Sequence, residues 1–271
     1  MTLVTITQNF GGDGTAIARN LAGQLGVELF DDRRIQELVQ AGGVTPDEVE
    51  RFDEKGPGFL DQIMGYRPQR YLDILGSVIY EVAHKGEGVI VGHGSQLLLR
   101  NFDCAFHVRV FTPIEKRVAG LTAQMGLSRE AALKLIRKRD QDQSGFFNFA
   151  FHLKMDDPSL YDLIIHTGKL DTDAASGLVA QAARSESIRA CSLNALEAME
   201  HLALEKKVRA AIHEAGIDLS TIVLEVPEKS TVHVYGLTSS SEETEKIKST
   251  VGSVAGVSRV VSGLSTIRGV A

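Results

Sequence analysis

A glycine-rich turn near the amino terminus has residue types that could bind phosphate. It follows a predicted strand over residues 3–7 and precedes a predicted helix over residues 15–25. In such a turn, backbone N–H groups and the helix N-terminus point at an anion, and glycine lets the backbone come close to it. The same arrangement also occurs in α/β folds that bind no phosphate. The candidate cofactor-binding residues are Gly11, Gly12, Asp13, Gly14 and Thr15.

The turn departs from the P-loop pattern G-x-x-x-x-G-K-[ST]. With Thr15 at the last position, Gln8 and Asp13 replace the two glycines and Gly14 replaces the lysine. A carboxylate about 4 Å from a phosphate oxygen would repel it by roughly 4 kcal/mol at an effective dielectric constant near 20. A bridging Mg²⁺ would instead make Asp13 and Thr15 metal ligands, so both interpretations stay open.

The surrounding pattern predicts an α/β fold with a parallel sheet and helices on both of its faces. Apolar, β-branched segments alternate with segments of helical period, which is typical of βα repeats. Residues 53–69, rich in glycine and proline, predict an irregular excursion. A helix with a serine cap is predicted from Ser128 to about Arg139. The predicted strands cover residues 3–7, 27–30, 88–94, 105–111 and 160–166.

The pattern changes after about residue 185, which predicts a second, smaller unit. Residues 185–205 have helical period and predict a connector. Residues 206–271 predict the order αββαβ, a small α+β unit. We therefore expect three parts: a first domain over residues 1–184, the connector, and a second domain over residues 206–271.

Four segments in order resemble the cytidylate-kinase-like family, which has a P-loop nucleoside monophosphate kinase fold. Residues 6–18 are similar to the family's opening I-S-R-x-F-G-S-G-G-x-x-I-A, and residues 25–32 to its second strand and acidic turn. Residues 89–100 resemble V-I-V-G-R-G-x-x-x-x-L-R, and residues 161–167 resemble Y-D-L-V-I-N-T. The likeness covers about residues 1–180. It implies ATP and Mg²⁺ as cofactors and a nucleoside monophosphate such as CMP as acceptor.

Phosphoryl transfer requires cationic groups around the phosphates, and this chain lacks several of those that the family has. Gln8 and His93 replace arginines, and the lid carries Gln143 and Asn148 at basic positions. The residues that we expect to bind substrate instead are His93, Arg33, Arg117, Arg137 and Arg139. We therefore predict a nucleotide-binding regulatory or sensory pseudo-kinase. The alternatives are an active (d)CMP or nucleoside monophosphate kinase and a structural scaffold that binds nothing.

Residues 206–271 resemble the BON domain. Residues 222–238 are similar to that family's I-x-V-x-V … V-x-L-x-G-x-V, and residues 254–264 to V-x-G-V-x-x-V-x-N-x-L, with Ser262 in place of Asn. The resemblance implies a module that binds membranes, ligands or partner proteins. Because its charges are balanced, we expect a protein partner or a small ligand rather than a lipid surface.

Composition narrows the range of partners and compartments. The net charge is −6 and the pI is about 5.8, without the basic footprint that nucleic-acid binding requires. No secretory signal or apolar run of membrane-spanning length is visible in the sequence, so we expect a cytoplasmic protein. Cys104 and Cys191 are expected to be reduced, inert thiols. Homo-oligomerisation is compatible with the sequence but not specified by it.

Overall fold

The computed structural model describes residues 2–52 and 68–266. A five-stranded parallel sheet has the strand order β2-β3-β1-β4-β5. Its strands are β1 (Thr2–Gln8), β2 (Leu29–Phe30), β3 (Glu87–Val91), β4 (Ala105–Phe111) and β5 (Leu163–His166). The predicted α/β class is confirmed, although β2 is shorter than predicted. Residues 53–67 of the excursion predicted over residues 53–69 lie outside the described residues, whereas Pro68 and Gln69 begin the helix Pro68–His84 and are not irregular.

Helices cover both faces of this sheet. They are α1 (Gly14–Leu25), α2 (Asp32–Ala41), α3 (Pro46–Phe52), α4 (Pro68–His84), α5 (Ser95–Leu98), α6 (Ile114–Met125), α7 (Arg129–Phe151), α8 (Thr172–Ala183) and α9 (Glu186–Arg189). One apolar cluster lies between the sheet, α1 and α8, and a larger one lies on the opposite face around α4. The central strands are buried on both faces, which is why they read as continuous apolar runs. No helix within the described ranges is both long and apolar enough to cross a membrane.

Helix α7 extends twelve residues beyond the end predicted at Arg139. Its start is as predicted, because the Ser128 side chain accepts a hydrogen bond from the backbone N–H of Ala131. The extension includes Gly145, which is a poor helix former. It is stabilised by packing, since Phe146 and Phe147 are buried in the larger core. Tertiary burial thus outweighs local propensity at this helix.

The second unit begins on α10 (Leu193–Glu214), a single helix of 22 residues. The separate connector and first-module helices predicted over residues 185–205 and from Val208 onward are therefore one element. Beyond it lie β6 (Ile222–Glu228), β7 (Thr231–Thr238), α11 (Ser241–Ser253) and β8 (Arg259–Thr266). Strand β7 pairs antiparallel with β6 and parallel with β8, so the order of elements is αββαβ.

A buried ionic cluster joins the two units where α10 packs along α4. Asp73 on α4 is almost fully buried, and its carboxylate lies 2.7 Å from Lys206 Nζ. Arg209 Nε and His213 Nε2 approach the same carboxylate at 3.7 and 3.5 Å. Buried charges require paired partners, so these contacts fix the position of α10 against the first domain.

The expectation of reduced thiols is wrong, because Cys104 and Cys191 form a disulfide bond. Cys104 immediately precedes β4, and Cys191 immediately precedes the capping residue of α10. Their Cα atoms lie 5.1 Å apart although they are separated by 87 residues in sequence. Spacing along a chain does not reveal such a contact when two distant segments are brought together by the fold. The bond attaches the start of α10 to the sheet.

Candidate functional site

The candidate site lies at the carboxyl ends of the central strands. Strand β1 is flanked by β3 on one side and β4 on the other, so the strand order changes direction at β1. Ligands of open α/β sheets bind in the crevice at such a switch point. The glycine-rich turn follows β1 and leads into α1, as the sequence predicts, and Gly11 takes a left-handed φ of 71°.

The turn's hydrogen-bonding groups are largely engaged within the chain. The backbone N–H of Gly12 donates to the Asn9 carbonyl at 3.1 Å, and that of Asp13 donates to Thr112 Oγ1 at 3.0 Å. The Gln8 amide bridges Thr15: its Nε2 donates to Thr15 Oγ1 at 2.7 Å, and its Oε1 accepts from the Thr15 N–H at 3.3 Å. Three amides of the turn, those of Gly12, Asp13 and Thr15, therefore already have acceptors.

The position of the Gln8 side chain also explains why residue 14 is glycine. A Cβ at Gly14 would lie 2.7 Å from Gln8 Oε1, closer than such atoms approach. The Gln8 side chain thus lies across the first turn of α1, on the side where the helix N-terminus faces the crevice.

Asp13 is neutralised by groups at the ends of the neighbouring strands. Its Oδ2 lies 2.8 Å from Lys116 Nζ and accepts a hydrogen bond from Thr167 Oγ1 at 2.6 Å. Partial burial acts to raise the pKa of Asp13, but the hydrogen bonds from Lys116, Thr167 and Thr112 and the charge of Lys116 outweigh it. The pKa of Asp13 consequently lies below its ordinary value.

This arrangement does not fit the Mg²⁺ that the sequence places on Asp13 and Thr15. The Lys116 ammonium occupies a coordinating position of the Asp13 carboxylate, and Thr15 Oγ1 accepts from Gln8. Within the described parts of the chain, no group of three or more His, Cys, Asp or Glu residues is arranged to hold a metal ion.

The five expected substrate-binding residues are only partly brought together. His93, buried and with φ 56°, lies in the crevice with Nε2 3.2 Å from Asp32 Oδ1. Arg117 is also buried, donating from Nε to the Phe10 carbonyl and pairing with Asp140 at 2.6 Å. Arg139 is exposed, 5.6 Å from the centre of the Phe10 ring. Arg137 is exposed on α7, and Arg33 pairs with Glu37 on the exposed side of α2.

Sequence reasoning missed Arg109, a cation at the centre of the crevice. It lies on β4 and is fully buried. Its Nη2 donates to Asn9 Oδ1 at 2.7 Å and to Asp156 Oδ1 at 2.8 Å, and the guanidinium lies 4.4 Å from the centre of the Phe111 ring. Among the residues that the structure describes, Nε and Nη1 have no hydrogen-bond partner. An arginine inside an otherwise apolar strand was the signal available in the sequence.

Comparison with known proteins identifies the family to which this chain belongs. The sequence profile of the cytidylate kinase-like family matches residues 3–169. The chain belongs to the cytidylate kinase-like family. A cytidylate kinase of Methanothrix thermoacetophila is 26% identical over 184 residues, which cover 68% of this chain and 98% of that protein. One of Archaeoglobus fulgidus is 22% identical over 188 residues, covering 69% and 97%.

Solved structures agree with the fold. A crystal structure of a protein from Eubacterium ventriosum superposes with a TM-score of 0.54 and 23% identity, covering 67% of this chain and 97% of that one. Both comparisons concern the first domain, and the cytidylate kinase-like match ends before α8 begins.

In this member of the cytidylate kinase-like family, aromatic side chains near the end of α7 pack against one another and beside the segment that follows β3. Phe146 and Phe147 are buried, and Phe151 packs edge-on against both rings at 6.0 and 5.9 Å between centroids. A Cβ at Gly94, whose φ is 66°, would lie 2.4 Å from the Phe151 ring. The lid segment is thus fastened to the segment after β3 by apolar packing, which opposes its opening.

Proposed function

We propose that this protein is a regulatory, non-catalytic member of its family that binds a nucleotide without transferring a phosphoryl group. The observation that carries the proposal is the pairing of crevice cations with the chain's own carboxylates. Lys116 pairs with Asp13, Arg117 with Asp140 and Arg109 with Asp156. Phosphoryl transfer depends on cationic groups that stabilise charge on the moving group. Cations already neutralised in the ground state supply little of that stabilisation.

Binding is supported by Arg109. Its Nε and Nη1 nitrogens, which have no hydrogen-bond partner among the described residues, are completely buried, and a buried donor without a partner costs free energy. Charge-assisted hydrogen bonds from arginine to phosphate are among the stronger polar contacts in proteins. A nucleotide phosphate that reached Arg109 would satisfy both groups. The family's substrate class makes a nucleotide the natural ligand for such a site.

The second module is proposed to be a BON-like domain over residues 206–271 that binds a protein partner or a small ligand. The support is its αββαβ order and the segments quoted above. We further propose a cytoplasmic location. The Cys104–Cys191 bond bears on that proposal, because disulfides seldom persist in reducing compartments. Thiol labelling of cell extracts prepared without a reductant measures how much of this bond is formed in cells, and recovery of the protein outside the cytoplasmic fraction would overturn the proposed location.

The test of the main proposal is thermal unfolding against CMP, CDP, ATP and ADP, each with and without Mg²⁺, together with an assay for ADP release. Because Lys116 occupies Asp13, we expect one nucleotide to raise Tm independently of Mg²⁺, with no turnover. Nucleotide at one hundred times its Kd adds about 2.7 kcal/mol to the unfolding free energy. Turnover at rates typical of kinases (about 1–100 s⁻¹) would overturn the proposal, and no shift with any nucleotide would favour the scaffold.

Two variants locate the binding. Arg109→Met should abolish the shift, whereas Arg129→Met, which alters an exposed arginine paired with Glu115, should leave it intact. Asp13→Asn should enlarge the shift, because it removes the carboxylate that pairs with Lys116 and leaves that ammonium available to phosphate oxygens. An Arg109→Met protein that still shows the full shift would place the ligand elsewhere.

A further inference from the structure

A second cleft lies between the two domains, away from the strand ends. Its walls are α4 and the end of α2 on one side, and α10 with the turns of the second module on the other. It has two adjoining compartments with volumes of about 510 and 390 Å³. Both volumes fall within the range of about 300–1,000 Å³ that is usual for small-molecule sites.

The larger compartment is mainly apolar. Leu38 from α2, Ile74 and Val78 from α4, Ala211 from α10 and Val254 from the second module line it. Apolar walls contributed by both domains favour an apolar ligand body, since burying apolar surface is favourable.

The smaller compartment has a basic rim. Lys85, Lys207 and Lys229 lie on it together with His84 and His201, against the two carboxylates of Glu81 and Glu200. The ion pair of Lys85 is made outside the cleft, with Glu28 at 3.7 Å. Lys207 pairs with Glu81 and Lys229 with Glu200 at 3.0 Å, so three lysines and two carboxylates line this rim, and Lys85 is the cation in excess.

Two histidines, His84 and His201, lie on the same rim as Glu200. The hydrogen bond from Lys229, 3.0 Å away, is the main cause that lowers the pKa of Glu200, and the charges of His84 and His201 act in the same direction. Both imidazoles therefore lie close to the same carboxylate. His84 Nδ1 lies 2.9 Å from the Leu196 carbonyl, which can only accept, so Nδ1 carries the proton.

The two compartments meet at the Glu81–Lys207 ion pair, and both residues, with Ala255, line each of them. An apolar space thus adjoins a cationic one. We propose that the interdomain cleft binds a small organic anion, with its apolar body in the larger compartment and its negatively charged head at the basic rim. A ligand held there would contact both domains at once. The proposal does not depend on nucleotide binding in the crevice.

The test uses two probes that differ in one group. 8-Anilino-1-naphthalenesulfonate is an apolar anion, and N-phenyl-1-naphthylamine lacks its sulfonate. Fluorescence titration of the full chain should give one site for the anion and an affinity at least tenfold lower for the neutral probe. Equal affinities, or several equivalent sites for the anion, would overturn the proposal.

Variants then assign the two compartments. Ala211→Trp should fill the apolar compartment and weaken both probes at least tenfold, whereas Ala123→Trp, on the exposed side of α6, should change neither. Lys229→Gln should weaken only the anion, by about threefold or more, and Lys248→Gln, outside the cleft on α11, should have no effect. Urea unfolding of each variant checks that it is folded. Binding of the anion unchanged in both cleft variants would contradict the proposed site.

Discussion

The crevice at the strand ends and the cleft between the domains differ in how their polar groups are used. In the crevice, Asp13 is paired with Lys116 and Thr15 with Gln8, while Phe151 packs against the segment after β3. In the interdomain cleft, an open apolar space adjoins a rim with more cations than anions. The comparison teaches that two clefts of one chain can differ in how far the groups around them are engaged with one another.

The two clefts are also stabilised by different interactions. Beside the crevice, the end of α7 is held by apolar packing of Phe151 near Gly94, whereas α4 and α10, which wall the interdomain cleft, are joined by the ionic cluster around Asp73. Each can therefore be perturbed separately, which makes the comparison testable.

The largest effect is expected from Asp73→Ala. Removing one partner of a buried ionic cluster typically costs 3–5 kcal/mol, and we expect a loss of about 3 kcal/mol because Lys206 is partly solvated. Urea unfolding measures the loss, and probe binding in the interdomain cleft should weaken with it. The matched control is Glu245→Ala, which removes the exposed partner of Lys248 and should cost less than about 0.5 kcal/mol. A loss below 1 kcal/mol for Asp73→Ala would show that the cluster does not fix the walls.

A smaller loss of stability, about 2 kcal/mol, is expected from Phe151→Ala. Complete burial would make this change cost about 3–5 kcal/mol, and Phe151 is only half-buried. The variant should open the crevice, so the Tm shift caused by the binding nucleotide should increase while probe binding between the domains stays unchanged. Leu178→Ala, on the exposed face of α8, is the control for apolar truncation. An unchanged nucleotide shift would mean that Phe151 does not restrict access.

The smallest expected effect is a pH dependence of the unfolding free energy, caused by a buried histidine in the sheet beneath the crevice. Burial lowers the pKa of His107, and the nearby Asp162 only partly opposes this. The unfolded chain therefore binds a proton below about pH 6.5 while the folded chain does not, so stability should fall as the pH decreases from 7 toward 5. The slope attributable to this group is at most about 1.4 kcal/mol per pH unit.

His107→Asn should remove that component of the slope, measured as the unfolding free energy at intervals between pH 5 and 7. Asn retains a polar group opposite Thr5, whose Oγ1 lies 2.8 Å from His107 Nδ1. Parallel profiles for the native chain and the variant would show that His107 does not titrate differently in the folded state.

Sequence patterns predicted the parallel sheet and the glycine-rich turn well, because both depend on local periodicity and backbone needs. They ended α7 at Arg139 because Gly145 weakens helical propensity locally, whereas buried Phe146 and Phe147 stabilise the extension. The patterns also predicted two separate helices in place of α10. Its apolar residues pack into two different cores, so they do not form a single apolar face along the helix.

Side-chain partnerships were much harder to predict. The losses of cations at Gln8, Gly14 and His93 were visible in the sequence. The pairing of Asp13 with Lys116 and of Cys104 with Cys191 joins segments far apart in the chain, and only the fold brings them together. Arg109 was overlooked because a strand pattern is read from its apolar residues.

Helix α10 fixes the rotation of one domain relative to the other about the helix axis. Leu196, Ala203 and Ala210 pack into the core of the first domain, whereas Val208 and Ile212 pack into that of the second. The two sets interleave along one helix, in which each residue adds about 100° of rotation and 1.5 Å of rise. Loss or gain of a single codon within this stretch would swing one domain around the other by more than a quarter turn. The outer face of α10 therefore tolerates substitutions, whereas the helix does not tolerate insertions or deletions.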